Sequence, residues 1–109
     1  QKIFIKKYWP GAVSLVVNNK YAVRVPKKKI AQQLAKGASK PIIATSANLS
    51  GGQEIYDSKK VIQLFKNKKN QPDLLIDFGK IIKVKPSTIV KVSGKGVTVL
   101  RQGTTKVLV

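Results

Sequence analysis

Apolar residues alternate with short polar breaks along most of the chain, and their spacing predicts both strands and helices. Two runs, 12–18 and 21–25, are rich in β-branched residues and are separated by a turn-forming Asn-Asn-Lys sequence, which predicts a β-hairpin. A second hairpin is predicted where runs 87–92 and 97–101 flank Ser93-Gly94-Lys95-Gly96. Paired strands are therefore expected in both the N-terminal and the C-terminal part.

Two central segments have the spacing of amphipathic helices. Pro26 precedes the first, 27–36, in which one face is expected to be buried and Gly37 is the expected stop. Asp57 is a suitable N-cap for the second helix, which extends to about Lys66. The apolar positions that define the two faces are Ile30, Ala31, Leu34 and Ala35 in the first helix and Val61, Ile62 and Phe65 in the second.

Three shorter segments complete the prediction. Residues 2–9 have the pattern of a helix end, which the turn at Trp9-Pro10-Gly11 terminates. Residues 41–44 predict a short buried strand, and 74–76 are expected to be extended. The resulting order, β-β-α-β-α-β-β-β, is neither a regular βαβ series nor all-β. We therefore expect one α/β domain of the α+β kind over residues 1–109, with helices packed on a twisted mixed sheet.

Net charge narrows the range of partners. The 109 residues include 22 basic and 4 acidic side chains, for a formal charge of +18, which attracts nucleotides, nucleic acids and other anions. The high charge could instead result from a general bias of the composition toward lysine, since 20 of the 22 basic residues are Lys and they are scattered along the chain. The sequence leaves both explanations open.

Missing residue types exclude several mechanisms. Without His or Cys the chain can form no Ser-His-Asp triad, no disulfide and no zinc site of the usual kinds. Four acidic residues leave little material for a pair of catalytic carboxylates. An enzyme of this composition would act by positioning reactants and neutralising charge, as nucleotidyl transfer requires.

No targeting signal is apparent in the sequence. The N-terminal residues lack the apolar core of a signal peptide, and no apolar run approaches the roughly 20 residues of a membrane span. The absence of cysteine suits a reducing compartment. We therefore expect a soluble, cytoplasmic protein that makes no contact with a membrane.

Small neutral residues follow the predicted strand at 41–44. Residues 43–51 read IATSANLSG, and their hydroxyl and amide groups could bind phosphate or ribose where the strand ends. The structural alternative is an ordinary turn in which Asn48 and Ser50 bond to nearby backbone groups. Composition does not decide between these interpretations.

The two arginines are a second candidate feature. Arg24 and Arg101 stand in a chain that otherwise uses lysine, and guanidinium forks bind carboxylate or phosphate in a way that an ammonium group cannot. They could instead be ordinary surface cations. Trp9 is expected to be a core residue rather than a platform for a nucleobase.

Five segments form a pattern that covers nearly the whole chain. They are Lys7-Tyr8-Trp9-Pro10-Gly11, Ala22-Val23-Arg24-Val25-Pro26, Ala44-Thr45-Ser46-Ala47-Asn48-Leu49-Ser50-Gly51, Pro86-Ser87-Thr88-Ile89-Val90 and Leu100-Arg101-Gln102-Gly103. In this order they resemble the YrdC-like family, although Ala12-Val13-Ser14 stands where the family usually has Pro-Leu-Thr. The resemblance is to the C-terminal part of the family domain, so the N-terminal half of the sheet is expected to be missing and its edges unpaired, which predicts poor solubility or association.

The resemblance implies an enzyme that condenses L-threonine, bicarbonate and ATP into threonylcarbamoyl-AMP and pyrophosphate. The product would serve the threonylcarbamoyladenosine modification of tRNA, so tRNA or the transfer machinery is an implied partner. No tightly bound cofactor, no protein metal site and no catalytic side chain are implied; ATP would enter as a substrate with magnesium. By position, the implied ATP-binding residues are Ser46, Asn48 and Arg101, and the implied L-threonine-binding residues are Arg24, Ala44 and Ser87.

Two other functions remain open at this point. One is a non-catalytic module that binds double-stranded RNA through shape and phosphate contacts, which the charge would allow. The other is the YrdC-like domain of a carbamoyltransferase that matures hydrogenases. If the chain is part of such a synthase, we expect residues 1–109 alone to be inactive, because the N-terminal half of the family domain contributes to the substrate site.

Overall fold

The fold is α+β and contains a mixed β-sheet, as predicted. The computed structural model describes residues 2–94 and 96–108. Within these residues, one four-stranded sheet has the strand order β2-β1-β3-β4, in which β1 and β3 are parallel and the two outer pairs are antiparallel. The elements are α1 (Lys2–Tyr8), β1 (Val13–Val17), β2 (Tyr21–Val23), α2 (Lys29–Gly37), α3 (Ser58–Phe65), β3 (Thr88–Ser93) and β4 (Gly96–Arg101).

The chain divides into two compact units. The first comprises Gln1–Ile42 and Val84–Val109, contains all four strands, and is called the sheet unit below. The second, Ile43–Lys83, contains α3 and long connecting segments, and is called the loop unit.

The hydrophobic core lies on one face of the sheet unit. Leu15 and Val90 are directly paired on neighbouring strands and are both buried, with Val13 and Val107 completing the cluster. The partly buried side chains of α1 and Trp9 pack against this cluster. Trp9 also donates its indole N–H to the carbonyl of Val13 at 2.7 Å, which confirms its predicted place in the core.

Both predicted hairpins form. β1 and β2 are joined through Asn18 and Asn19, which have φ values of 51° and 52°. Asparagine tolerates this left-handed region better than most residues, so the turn chemistry explains the hairpin. β3 and β4 pair from Ser93↔Gly96 onward; Lys95, in the predicted turn, lies outside the described residues.

The predicted helices form, but α2 differs from the prediction at both of its ends and in its burial. This helix begins at Lys29 rather than Lys27, and Gly37 is its last residue rather than the stop; the residue with positive φ is Ser39, at 53°. None of its nine residues, all of them described, is buried, and Leu34 is 45% exposed. The prediction of a buried face was wrong because helical spacing records an apolar face, not what covers it.

Two predicted extended segments are not strands. Residues 41–44 and 74–76 have no strand partner among the described residues, and they are exposed, Ile43 to 94% and Leu74 to 77%. An apolar run becomes a strand only where a neighbour bonds to its backbone. Among the described residues, no helix combines the length and apolar character needed to cross a membrane.

Candidate functional site

The sheet face opposite the core carries the candidate polar residues of the sheet unit. Ser14 on β1 is paired with Ile89 on β3, and Ile89 with Arg101 on β4. Directly paired residues project from the same face of a sheet, and successive residues alternate. Since Leu15 and Val90 face the core, Ser14, Ile89 and Arg101 lie on the other face, called the site face below.

A β-bulge turns Arg101 toward this face. Val90 is paired with Val99, whereas Ile89 is paired with Arg101, so Leu100 is an extra residue in β4. If the register of Val90 and Val99 continued unbroken, Leu100 would pair with Ile89 and Arg101 with Thr88, whose side chain belongs to the buried face. The bulge therefore places the guanidinium where the sequence alone would not.

Arg101 donates hydrogen bonds to Ser87, the residue before β3. Its Nε and Nη2 atoms donate to the Ser87 carbonyl oxygen at 3.2 and 2.9 Å, and Nη2 lies 3.5 Å from Ser87 Oγ. The Ser87 hydroxyl is also 2.9 Å from that of Ser14. Among the described residues, none accepts a hydrogen bond from the two Nη1 donors of Arg101.

Close packing fixes the backbone beside these side chains. Gly103 lies directly against the 86–88 backbone: a methyl group there would overlap the Pro86 carbonyl oxygen and lie 2.6 Å from the Thr88 nitrogen. The Gly103 N–H donates to the buried Thr88 Oγ1 at 2.9 Å, and that hydroxyl donates to the Thr105 carbonyl. The Pro-Ser-Thr segment (86–88) and the Arg-Gln-Gly segment (101–103) thus pack tightly against each other.

The first two segments of the sequence pattern meet at the same end of the sheet. The Gly11 N–H donates to the Val25 carbonyl at 2.8 Å, and the Thr88 N–H donates to the Ala12 carbonyl at 3.0 Å. A methyl group at Gly11 would overlap the carbonyl oxygen of Tyr8. Four of the five sequence segments are therefore neighbours within the sheet unit.

Arg24 lies at the end of β2. It directly follows Val23, which is paired with Leu15 on the core side, so strand alternation assigns Arg24 to the site face. Its side chain is exposed. Two strands separate β2 from β4, so at about 4.8 Å per step these two strands lie about 14 Å apart.

The candidate residues of the loop unit form a separate hydrogen-bonded turn. Ser46 Oγ donates to Asn48 Oδ1 at 2.6 Å, and Asn48 Nδ2 donates to the carbonyls of Leu49 and Gly52 at 2.7 and 3.2 Å. Gly51 has a φ of 75°, which suits glycine. The Asn48 amide thus holds the loop in shape, as the turn interpretation expects.

The backbone of this loop keeps hydrogen-bond donors available. None of the N–H groups from residue 44 to 51 donates to another described residue. Successive unpaired N–H groups in a turn can bind an anion. Ala44 and Ser46 are both exposed, so a ligand could reach this backbone.

Two titrating groups of the loop unit are shifted by their neighbours. Tyr56 donates its hydroxyl to Glu54, and this bond, together with desolvation and the Glu54 charge, raises the pKa of Tyr56. Hydrogen bonds from Ser58 and from the Gly79 N–H lower the pKa of Asp77. Both groups are tied to local turns rather than to the candidate residues.

The structure brings some of the predicted site residues together. Ser87 and Arg101 are in contact, strand alternation assigns Arg24 to their face of the sheet, and Ser46 contacts Asn48. Whether Ala44, Ser46 and Asn48 join the sheet-unit residues in one site stays a prediction.

The sequence interpretation missed Ser14 and Thr88 as residues that order the site. Each is a buried hydroxyl residue in an otherwise apolar strand: Ser14 is 7% exposed and Thr88 is 0% exposed. The polar residue within Val-Ser-Leu-Val-Val was the available signal.

Comparisons of this chain with known proteins all indicate the same family. The profile of the Sua5/YciO/YrdC family, described as "Telomere recombination", matches residues 1–103. A protein of Methanocaldococcus jannaschii, provisionally named as a threonylcarbamoyl-AMP synthase, is 32% identical, and the match covers 93% of this chain and 45% of that protein. The threonylcarbamoyl-AMP synthase of Psychromonas ingrahamii is 35% identical, with 62% of this chain and 42% of that protein covered.

A solved structure has the same fold. A two-residue variant of Sua5 from P. abyssi superposes with a TM-score of 0.75 at 28% sequence identity, and the match covers 94% of this chain and 35% of that one. The chain thus spans less than half the length of these relatives.

Proposed function

Because the chain belongs to the Sua5/YciO/YrdC family, we propose that it contributes the ATP and L-threonine sites of a threonylcarbamoyl-AMP synthase. That reaction joins L-threonine, bicarbonate and ATP into threonylcarbamoyl-AMP and pyrophosphate, for the threonylcarbamoyladenosine modification of tRNA. The names of the relatives support the activity. The observation that carries the proposal is the contact of Arg101 with Ser87, on the face to which strand alternation assigns Arg24.

The proposed roles follow from charge and geometry. Arg24 binds the carboxylate of L-threonine, and Ser87 and Ala44 line the pocket around the amino acid. Arg101 directs its remaining N–H donors to ATP, where a guanidinium fork matches phosphate oxygens. Ser46 binds ATP by turning its hydroxyl away from Asn48, while Asn48 holds the loop.

Catalysis in this proposal is positioning and charge stabilisation. ATP enters as its magnesium complex, and the two arginines hold the reacting groups and neutralise their charge. Without His or Cys, no side chain of those kinds transfers a proton. The product passes to tRNA or to the machinery that modifies it.

An affinity measurement tests the ATP role. Arg101→Ala should weaken binding of magnesium-ATP by about 1.5–3 kcal/mol, because it removes hydrogen bonds between charged groups. Isothermal titration calorimetry gives the dissociation constant. Lys106→Ala, which removes the same charge from an exposed position near the end of the chain, is the control and should leave the constant within about twofold. Equal constants for Arg101→Ala and the unaltered chain would exclude the role.

Turnover needs more than these residues. The chain spans 45% of the M. jannaschii relative, and we propose that residues 1–109 alone bind the substrates without completing the reaction. A pyrophosphate-release assay with all three substrates should show no product. Product formation by this chain would show that the rest of the family domain is dispensable.

Double-stranded RNA binding without catalysis is the second candidate, and one observation favours it. The sheet unit carries 15 basic residues and no acidic residue, an arrangement suited to phosphate backbones. This function predicts RNA affinity that falls steeply with salt and does not change with L-threonine. Binding of L-threonine that Arg24→Ala abolishes would favour the synthase instead.

A further inference from the structure

Ser14 is a buried hydroxyl with a single described partner. It lies in the middle of β1 between Val13 and Leu15, is 7% exposed, and its Oγ is 2.9 Å from Ser87 Oγ. A buried hydroxyl costs free energy unless it is hydrogen-bonded. The contact with Ser87 meets that need, so the two side chains hold one another.

Either serine can be the donor in this hydrogen bond, and the neighbouring guanidinium favours Ser14. Arg101 Nη2 lies 3.5 Å from Ser87 Oγ, and an arginine can only donate. Ser87 Oγ therefore faces a cationic donor and is favoured as an acceptor. When Ser14 also donates to it, both lone pairs of Ser87 Oγ are directed into the protein, and the Ser87 proton points away from both neighbours.

We propose that Ser14 is a positioning residue that fixes the Ser87 side chain and presents the Ser87 hydroxyl as a donor to an acceptor oxygen of the amino-acid substrate. The substrate half of this inference rests on the proposed function, in which Ser87 lines the L-threonine pocket. Ser14 is too buried to be a main contact itself, whereas Ser87 is partly exposed. Ser14 thus acts on the ligand through Ser87.

A measurement without ligand tests the positioning directly. Three-bond NMR couplings report the Ser87 χ1 angle, which should stay in one staggered rotamer in the unaltered chain and in Ser14→Thr, since threonine keeps the hydroxyl. In Ser14→Ala the couplings should show averaging between rotamers. A single Ser87 rotamer in a folded Ser14→Ala chain would overturn the proposal, whether or not a ligand binds.

Binding of L-threonine tests the consequence. Ser14→Ala should weaken L-threonine binding about three- to tenfold, the effect of one hydrogen bond, with ATP binding within twofold of the unaltered chain and with recovery in Ser14→Thr. A general structural defect would weaken both ligands together.

A double-mutant cycle separates an indirect role from a direct one. If Ser14 acts only through Ser87, the combined Ser14→Ala and Ser87→Ala variant should bind L-threonine no more weakly than Ser87→Ala alone. Additive losses would overturn the proposal. If the unaltered chain bound ATP but not L-threonine, both the assignment of the L-threonine site and the proposed contact of the Ser87 hydroxyl with the amino acid would be overturned. The NMR couplings of Ser87 would still decide whether Ser14 orients its side chain.

Discussion

The sheet unit and the loop unit hold their candidate residues in different ways. Every buried residue that the structure describes lies in the sheet unit, where Ser87 and Arg101 are attached to strands around a core. No described residue of the loop unit is buried, and Ser46 and Asn48 are positioned by short-range hydrogen bonds. The candidate residues of the sheet unit are thus preorganised by packing and those of the loop unit by a turn, and we expect the turn to open more readily.

The charges of the two units differ as strongly as their packing. All four acidic residues lie in the loop unit together with seven basic ones, whereas the sheet unit has basic residues alone. Like charges within one compact unit repel, and a bound anion relieves this repulsion. We therefore expect anionic ligands to stabilise the sheet unit more than the loop unit.

The largest expected effect comes from Gly103 in the sheet unit. Gly103→Ala places a methyl group against the backbone of Pro86, Ser87 and Thr88, which cannot move without disrupting the sheet. We expect a loss of about 3 kcal/mol or more in the free energy of unfolding, at or above the upper end of overpacking effects. Urea denaturation measures it.

Gly37→Ala is the matched control for this substitution. Gly37 ends α2, and nothing lies within 4 Å of an added methyl group. The change should be neutral or stabilising by up to about 1 kcal/mol. If the two variants were equally stable, the tight packing of the Arg-Gln-Gly segment against Ser87 would be refuted.

A smaller and local effect is expected in the loop unit. Asp57 accepts a hydrogen bond from the Lys59 N–H at 3.0 Å and caps α3, so Asp57→Ala should cost about 1 kcal/mol of helix stability. Hydrogen exchange should speed up in α3 and stay unchanged in β1 and β3. Asp73→Ala, which removes the same charge from an exposed position outside the helix, should leave both rates unchanged. Faster exchange throughout the sheet would mean that the two units unfold together.

The sequence predicted the elements whose signals are local. The Asn-Asn turn, the Asp57 cap and the helical spacing of α3 each depend on nearby residues, and each is confirmed. Residues 41–44 and 74–76 failed as strands because strand formation depends on a partner that an apolar run does not specify.

The site shows the same division between local and long-range information. Arg101 stood out by residue type, but its direction depends on the bulge at Leu100, and that bulge follows from strand pairing rather than from any local sequence signal. The contact of Ser14 with Ser87 joins residues 73 positions apart. A turn can be inferred from four residues; a contact of that kind needs the sheet register.

A chemical-shift titration of the chain with magnesium-ATP and with L-threonine tests whether the two arginines and Ser87 bind the substrates. We expect saturable shifts at Ser87 and Arg101 with ATP and at Arg24 and Ser87 with L-threonine, and small shifts at the core residues Leu15 and Val90. Saturable shifts confined to the lysine-rich surfaces, with Arg24, Ser87 and Arg101 unaffected by either ligand, would exclude the proposed substrate sites.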